Sequence, residues 1–374
     1  MSLVTATPMR LPYNHRSDRR DRAPLPFRQG DVPSPGRYII EGWTLSTAHV
    51  QTASGRELRI GLDTDSAHLA IFFKQNWPQR PSVPEPLDGH IILARATTAG
   101  DAAPTGEPPA IVVSPDVRRA QIPGREYYTK VKTTLRAICS ALAPPHEIFL
   151  HGCTLDVDGI GLMICGESGA GKTTLARAIM AQAGAAIVND DWGPLSLIDF
   201  TATYTGEARL HMKYRTVSSM RPELAINPNR YASEDFRGDP QDPRARLMIP
   251  RGDVFGAHRI ADTTCVRHVL FISRNDPSAS FARPLSLKDA AVLARQDHTP
   301  SIIRSSYLDA ASLLDHPRVA AQQAQRHQRL LASGHCVAIN SHGDPTAVAA
   351  RVLHEILGAG TRKRASPIAM EATL

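Results

Sequence analysis

GESGAGKTTLARAIMAQAGAAIVNDDWG, residues 166–193, is the stretch on which the fold turns. Its first eight residues fit the phosphate-loop pattern G-x-x-x-x-G-K-[ST]. Gly166, Gly169 and Gly171 let the backbone wrap so that successive N–H groups face an anion, and a helix beginning near Lys172 adds its positive end. In this reading Gly166, Glu167, Ser168, Gly169, Ala170, Gly171, Lys172, Thr173 and Thr174 cradle a nucleotide's phosphates. Lys172 reaches the β and γ phosphates, and the Thr173 hydroxyl ligates Mg²⁺. An apolar strand, LMIC, precedes the loop and a strong helix former, TTLARAIMAQA, follows it, which is the context the motif requires.

The aspartates at the other end of the stretch are the less expected feature. In the commoner phosphate-loop proteins the second acidic residue lies on a strand well downstream. Here seventeen residues separate Lys172 from Asp190. That is room for one helix, a turn at Gly184 and one short strand, AAIV. The sequence therefore predicts that the next strand returns directly beside the first and delivers Asp190 and Asp191 to the phosphates. Adjacent carboxylates repel unless a cation or a shared proton intervenes. A magnesium nucleotide supplies the cation, with one carboxylate facing the metal and the other an acceptor hydroxyl.

Outward from this stretch, 374 residues that are 42% hydrophobic can bury one large core or two modest ones. No run of eighteen apolar residues occurs and the N-terminus lacks a secretory apolar stretch, so a cytoplasmic protein without a membrane partner is expected. Cys139, Cys153, Cys165, Cys265 and Cys336 are scattered and read as reduced thiols rather than metal ligands. Much of the net charge of +7 comes from Arg-rich ends, and no nucleic-acid motif accompanies it, which argues against a nucleic-acid partner.

Residues 1–36, with six prolines, read as a disordered arm. Residues 37–145 read as a β-rich N-terminal domain: RYIIEGWTL, HVQTA, ELRIGL, HLAIFFKQ and IILARA look like strands, and a helix follows over about 125–142, with Val131, Leu135 and Ile138 at helical spacing. Residues 146–360 form the phosphate-loop domain and 361–374 a basic tail. In that domain EIFLHG is a strand and LDVDGIGLMICG a hairpin turning at Asp158-Gly159. Further strands are expected at AAIVND, GPLSLID, ATYTGE, RLHMKY, CVRHVLFIS and HCVAINS. Helices are expected near 286–296, 308–333 and 345–358. The polar stretch 227–253 reads as a long loop.

Three elements together resemble the catalytic domain of the HPr kinase/phosphorylase family and, more distantly, the PEP carboxykinases: His151-Gly152 at a strand end, the GESGAGKT loop, and NDD ending the following strand. The resemblance covers Glu147 to Leu197 well, and residues 37–145 show no match to the family's usual N-terminal domain. It implies an α/β fold of α+β character with a phosphate-loop catalytic domain, and an ATP- and Mg²⁺-dependent kinase acting on a protein or peptide serine or on a small-molecule alcohol. It also admits a homo-oligomer. Carried over, His151 tunes the carboxylates, Lys172 and Thr173 hold phosphate and Mg²⁺, and Asp190 and Asp191 divide base and metal contact, with Asp190 beside Thr173 as a metal ligand. A basic loop that approaches the phosphates in the family corresponds to RLMIPRGDVFG, with Arg246 and Arg251. Arg215, in HMKYRTVSSMRP, is a further candidate for an anionic substrate. Two other readings are a nucleotide-dependent switch or slow NTPase, for which no guanine-reading N-K-x-D is present, and a PEP carboxykinase-like lyase.

Overall fold

The computed structural model describes residues 44–64, 67–77, 86–94, 112–113, 118–123, 128–166, 169–226, 228–231, 246–273, 280–285 and 317–358. The arm 1–36, the helix near 286–296, the tail 361–374 and the loop residues Glu167 and Ser168 lie outside them. The described residues all belong to the unit Ile40–Leu374, a mixed α/β structure with several sheets.

In the first sheet β1 (Thr44–Gln51) and β2 (Glu57–Thr64) are antiparallel. Helix α1 (Ala67–Asn76) follows, then β3 (Gly89–Ala94), β4 (Val112–Val113) and β5 (Arg119–Pro123), in the order β1-β2-β3-β5-β4. Helix α2 (Tyr128–Leu142) covers this sheet: Val131, Leu135 and Ile138 are fully buried in one core with Leu58, Ile60, Leu62 and Ile91. The segment HLAIFFKQ, expected as a strand, is α1 instead. Its buried residues Leu69, Ala70 and Phe73, with Trp77 just past its end, recur at helical spacing while Ile71 is exposed. Tertiary burial has overridden the strand preference of Ile71 and the phenylalanines.

The second sheet contains the phosphate-loop stretch. Strands β6 (Glu147–Leu150), β7 (Gly152–Val157) and β8 (Ile160–Cys165) precede the loop, and helix α3 (Lys172–Gln182) and β9 (Ala185–Asn189) follow it. Asp158 and Gly159, with φ of 51° and 82°, close the β7–β8 hairpin as expected. The remaining elements are β10 (Gly193–Ser196), β11 (Thr201–Thr203), β12 (Arg209–Lys213), α4 (Tyr214–Met220), α5 (Pro222–Ala225), β13 (Arg246–Pro250), α6 (Arg251–Phe255), β14 (Thr263–Ser273), β15 (Ala282–Pro284), α7 (Pro317–Ala332), β16 (Cys336–Asn340) and α8 (Pro345–Arg351). The order is β6-β10-β11-β14-β8-β7-β9, with β16 parallel to β14 and β15 antiparallel to β16. Strands β12 and β13 form a separate ribbon.

Two expectations are corrected here. Strand β9 does not lie directly beside β8: β7 intervenes, antiparallel to both. Both edges of β8 are taken, by its hairpin partner β7 and by β14, so α3 crosses over β7 before the chain re-enters the sheet. The stretch 227–253 is not all loop, because RLMIP pairs as β13 and buries Leu247, Met248 and Ile249.

Side chains alternate across β8 as strand geometry requires. Leu162 and Ile164 join the core beneath α3 with Leu175, Ala176 and Ile179. Met163 and Cys165 face a second core with Ile148, Val269 and Leu330. The phosphate loop thus leaves a strand covered on both faces. Residues on either side of position 145 also share contacts. Phe149 and Trp192 belong to the first core, and the buried Glu147 carboxylate accepts hydrogen bonds from the Ala53 and Ser54 N–H groups at 2.8 and 3.1 Å. Among the described residues no helix is long and apolar enough to cross a membrane.

Candidate functional site

The loop connects β8 to α3 through backbone that only glycine adopts readily. Gly169 and Gly171 have φ of 86° and 98°. At Gly166, φ 156°, an added Cβ would come within 2.7 Å of the Ile272 carbonyl oxygen, so the loop passes too close to β14 for any side chain. Gly171 caps α3 without a side-chain hydrogen bond, leaving the first-turn N–H groups directed at whatever lies in the loop. Lys172 is buried and folds back, its Nζ donating to the Gly166 carbonyl at 2.9 Å. Burial lowers its pKa, against the pull of Asp191 and Asp190.

Asp190 and Asp191 follow β9 at the same end of the sheet, but the two carboxylates have different neighbours. The Thr173 hydroxyl donates to Asp190 Oδ1 at 3.0 Å. Burial, with the adjacent Asp191 charge, pushes the Asp190 carboxyl up to about 6, although hydrogen bonds from Thr173 and Cys153 work the other way. Asp191 has φ 72°, a left-handed conformation that Asp tolerates better than most residues. His151 Nε2 lies 3.1 Å from its Oδ1. Oδ2 takes Arg136 Nη2 at 2.8 Å and Lys132 Nζ at 3.4 Å. Burial works to raise the Asp191 carboxyl, but Arg136, Lys132 and His151 outweigh it and hold it well below the usual carboxylate range. Burial also lowers the pKa of His151, which favours the neutral ring.

Both cations also meet Glu207, on the connection between β11 and β12. Lys132 pairs with its Oε1, Arg136 Nη2 lies 3.1 Å from its Oε2, and Asn76 donates to Oε1 at 3.0 Å. Lys132 and Arg136 were not legible as site residues. Their only signal was two cations four residues apart beside the buried stripe of α2, and their partners lie 55 to 75 residues further on.

Arg251 opens α6 beside this site. Its Nη1 donates to the Val188 carbonyl at 3.0 Å and its guanidinium stacks 3.5 Å from the Tyr204 ring. With Asp190, Thr205 and Glu207 it lines a small open cleft. Arg246, opposite Lys213 in the β12–β13 ribbon, and Arg215, exposed on α4, are not among the residues lining that cleft. Ala170 and Thr174 hold the expected places before and within the first turn of α3. Thr173 and Asp190 lie side by side, two oxygen donors that could share a cation, and the Lys172 ammonium lies across the loop, where it could meet an anion. Among the described residues no group of three or more His, Cys, Asp or Glu forms a metal cluster.

No family model matches the chain, and no curated protein does. Among solved structures it is similar to the Hpr(Ser) kinase/phosphatase from Coxiella burnetii, at 18% identity over 36% of this chain and 75% of that chain, with a TM-score of 0.24, too low to establish structural equivalence.

Proposed function

We propose that the chain is an ATP-dependent phosphotransferase that moves the γ-phosphoryl group to a hydroxyl acceptor, the serine of a protein or peptide or a small-molecule alcohol. In this reading residues 146–360 are an HPr kinase-like phosphate-loop domain, and residues 37–145 a β-rich region that ends in α2. The observation that carries it is the sorting of the carboxylates. Asp190 takes the hydroxyl of Thr173, and Asp191, one residue on, takes His151. Phosphoryl transfer needs both tasks done side by side: a carboxylate on the metal side and one for the acceptor hydroxyl.

The residues present fit a magnesium nucleotide. Gly166 has no room for a Cβ, α3 carries no side-chain cap, and the buried Lys172 ammonium reaches back across the loop. Thr173 and Asp190 are a sufficient protein contribution to Mg²⁺, which in nucleotide sites keeps water and phosphate oxygens as its other ligands. Bound there, the ion would neutralise charge on the phosphates. Lys172 would hold the terminal phosphate, Asp190 would share the metal with Thr173, and Asp191 would accept the hydrogen bond of the acceptor hydroxyl. His151 would keep that carboxylate aligned. Arg251 is the best placed of the three candidate arginines to meet an acceptor, since it shares a cleft with Asp190.

One observation favours a nucleotide-dependent switch instead. Asp191 is already ion-paired to two cations, and a carboxylate so held is a weak proton acceptor. Incubating the purified protein with γ-labelled ATP and cell extract separates the two. Label in a protein band or a small molecule supports transfer, and label in free phosphate alone supports the switch. Asp191→Asn and Lys172→Ala serve as controls.

A further inference from the structure

We infer that Lys132 and Arg136, two cations of α2 outside the phosphate-loop segment, are positioning residues for the transfer, holding the Asp191 carboxylate in place with Glu207 as their common anchor. The inference rests on the phosphotransferase reading and adds to it that the β-rich region completes the active centre.

The geometry is that of a clamp closed on both sides. Arg136 Nη2 lies 2.8 Å from Asp191 Oδ2 and 3.1 Å from Glu207 Oε2, and Lys132 contacts the same two carboxylates. The lysine and arginine side chains are 4% and 8% exposed, and Glu207 is 6% exposed, whereas Asp191 keeps 35% of its side-chain surface open. The cations and their anchor are therefore enclosed, and the carboxylate they hold is the accessible member. With Oδ2 taken by cations and Oδ1 facing His151 at 3.1 Å, rotation of the carboxylate about its last torsion is blocked.

The anchor is itself fixed, because Asn76 at the end of α1 donates to Glu207. The next residue along the chain is held as well. Trp192 is fully buried, stacks on Phe149 with ring centroids 4.4 Å apart, and lies under the Arg136 guanidinium at 5.5 Å. Val131, Leu135 and Ile138 seat α2 in the first core, so its cations cannot swing away without disturbing that core. A buried ion cluster is a poor way to gain stability, since apolar side chains of the same volume often serve as well. Its return is a fixed direction for one carboxylate, and misplacing a reacting group by about 1 Å lowers rates by about a hundredfold.

The test uses the full-length chain, with single-turnover transfer from labelled ATP, nucleotide affinity and melting temperature measured side by side. The charge-balanced pair Arg136→Met with Glu207→Gln removes one charge of each sign. The expected result is a folded protein with wild-type nucleotide affinity and transfer slowed about 10- to 100-fold. Arg136→Lys, which keeps the charge but loses the planar fork, should recover part of the rate, and it decides the matter if the pair does not fold. Wild-type transfer in the folded pair, or in Arg136→Lys beside an equally active Arg136→Met, would make the cluster merely structural and overturn the inference. The underlying reading fails differently: there Asp191→Asn itself transfers at the wild-type rate, and the clamp falls with it.

Discussion

Replacing each aspartate of the pair by asparagine should change stability in opposite directions, although the residues are adjacent and the substitutions identical. In nucleotide-free, chelated buffer at pH 7, Asp190 is a carboxylate that its surroundings penalise. Burial raises its pKa from 3.8 to about 6, and a tenfold change in proton affinity corresponds to about 1.4 kcal/mol. The native state keeps this proton to about pH 6 while an unfolded chain releases it near pH 4, so native stability falls as pH rises between them. The full penalty is about 3 kcal/mol at neutral pH, and the partial opening of the site reduces it to about 1–3 kcal/mol. Asp190→Asn keeps an oxygen for the Thr173 hydroxyl and removes the penalty, so it should stabilise. Asp191 is held well below the usual range by Arg136, Lys132 and His151 against the effect of burial. Its contribution is complete above about pH 4 and is lost as pH falls further. Asp191→Asn leaves two buried cations sharing Glu207. Breaking a buried pair costs about 3–5 kcal/mol, and the 35% exposure of Asp191 brings this to about 2–3 kcal/mol. At about 2–4 °C per kcal/mol for a folded unit of this size, differential scanning calorimetry should show Asp191→Asn melting about 4–12 °C lower and Asp190→Asn a few degrees higher. Both variants should lose transfer. Two equal decreases, or a larger one for Asp190→Asn, would refute the assignment of these environments.

Lys172→Ala should weaken ATP binding about 10- to 100-fold by calorimetric titration, because a charge-assisted hydrogen bond of about 1.5–3 kcal/mol is lost. Thr173→Val should raise the Mg²⁺ concentration needed for half-maximal turnover about tenfold while Thr173→Ser leaves it near the wild-type value; an unchanged requirement in valine would remove Thr173 from the metal site. Glu147→Gln should lower the melting temperature by several degrees without changing nucleotide affinity, because either the buried Ala53 N–H or the half-buried Ser54 N–H loses a carboxylate oxygen, at about 1–3 kcal/mol. A melting curve that does not move would show that this tie between the sheets is dispensable.

What the sequence disclosed was local. The strand and helix that flank Gly166 to Gly171, and the β7–β8 turn at Asp158-Gly159, are specified by residues within a few positions of one another, and the structure has each of them. The place of β9 could not be read, because it depends on β14, about a hundred residues beyond the loop, taking the other edge of β8. Helix α1 was misread because Ile71 and the phenylalanines favour strands, while its burial pattern is set by the sheet it packs against. The clamp cations were hidden for a similar reason. A lysine and an arginine on an amphipathic helix are ordinarily solvated, and only the approach of Glu207 and Asp191 from distant segments makes them core residues.

The five residues Asn189 to Gly193 show how one short segment serves two sides of the site. The Asn189 side chain donates to the Thr203 carbonyl at 2.8 Å and accepts from the Thr205 N–H at 3.1 Å, fixing the end of β9 to the turn after β11. Asp190 turns to α3 and Thr173. If the chain continued as a strand, the next side chain would simply point to the opposite face. The positive φ of Asp191 re-aims it instead, towards α2 and His151. Trp192 then enters the first core and stacks on Phe149. At Gly193 an added Cβ would lie 2.7 Å from Asn189 Nδ2, so a glycine is needed for the turn to close on the asparagine that anchors it. Asparagine secures the strand end, tryptophan and glycine secure the exit, and the carboxylates between them are directed to different helices. Gly193→Ala should therefore act on the pair without touching either carboxylate. By forcing Asn189 aside it should lower single-turnover transfer more than nucleotide affinity, and affinity falling in step with transfer would show that the exit of the turn does not set the direction of Asp191.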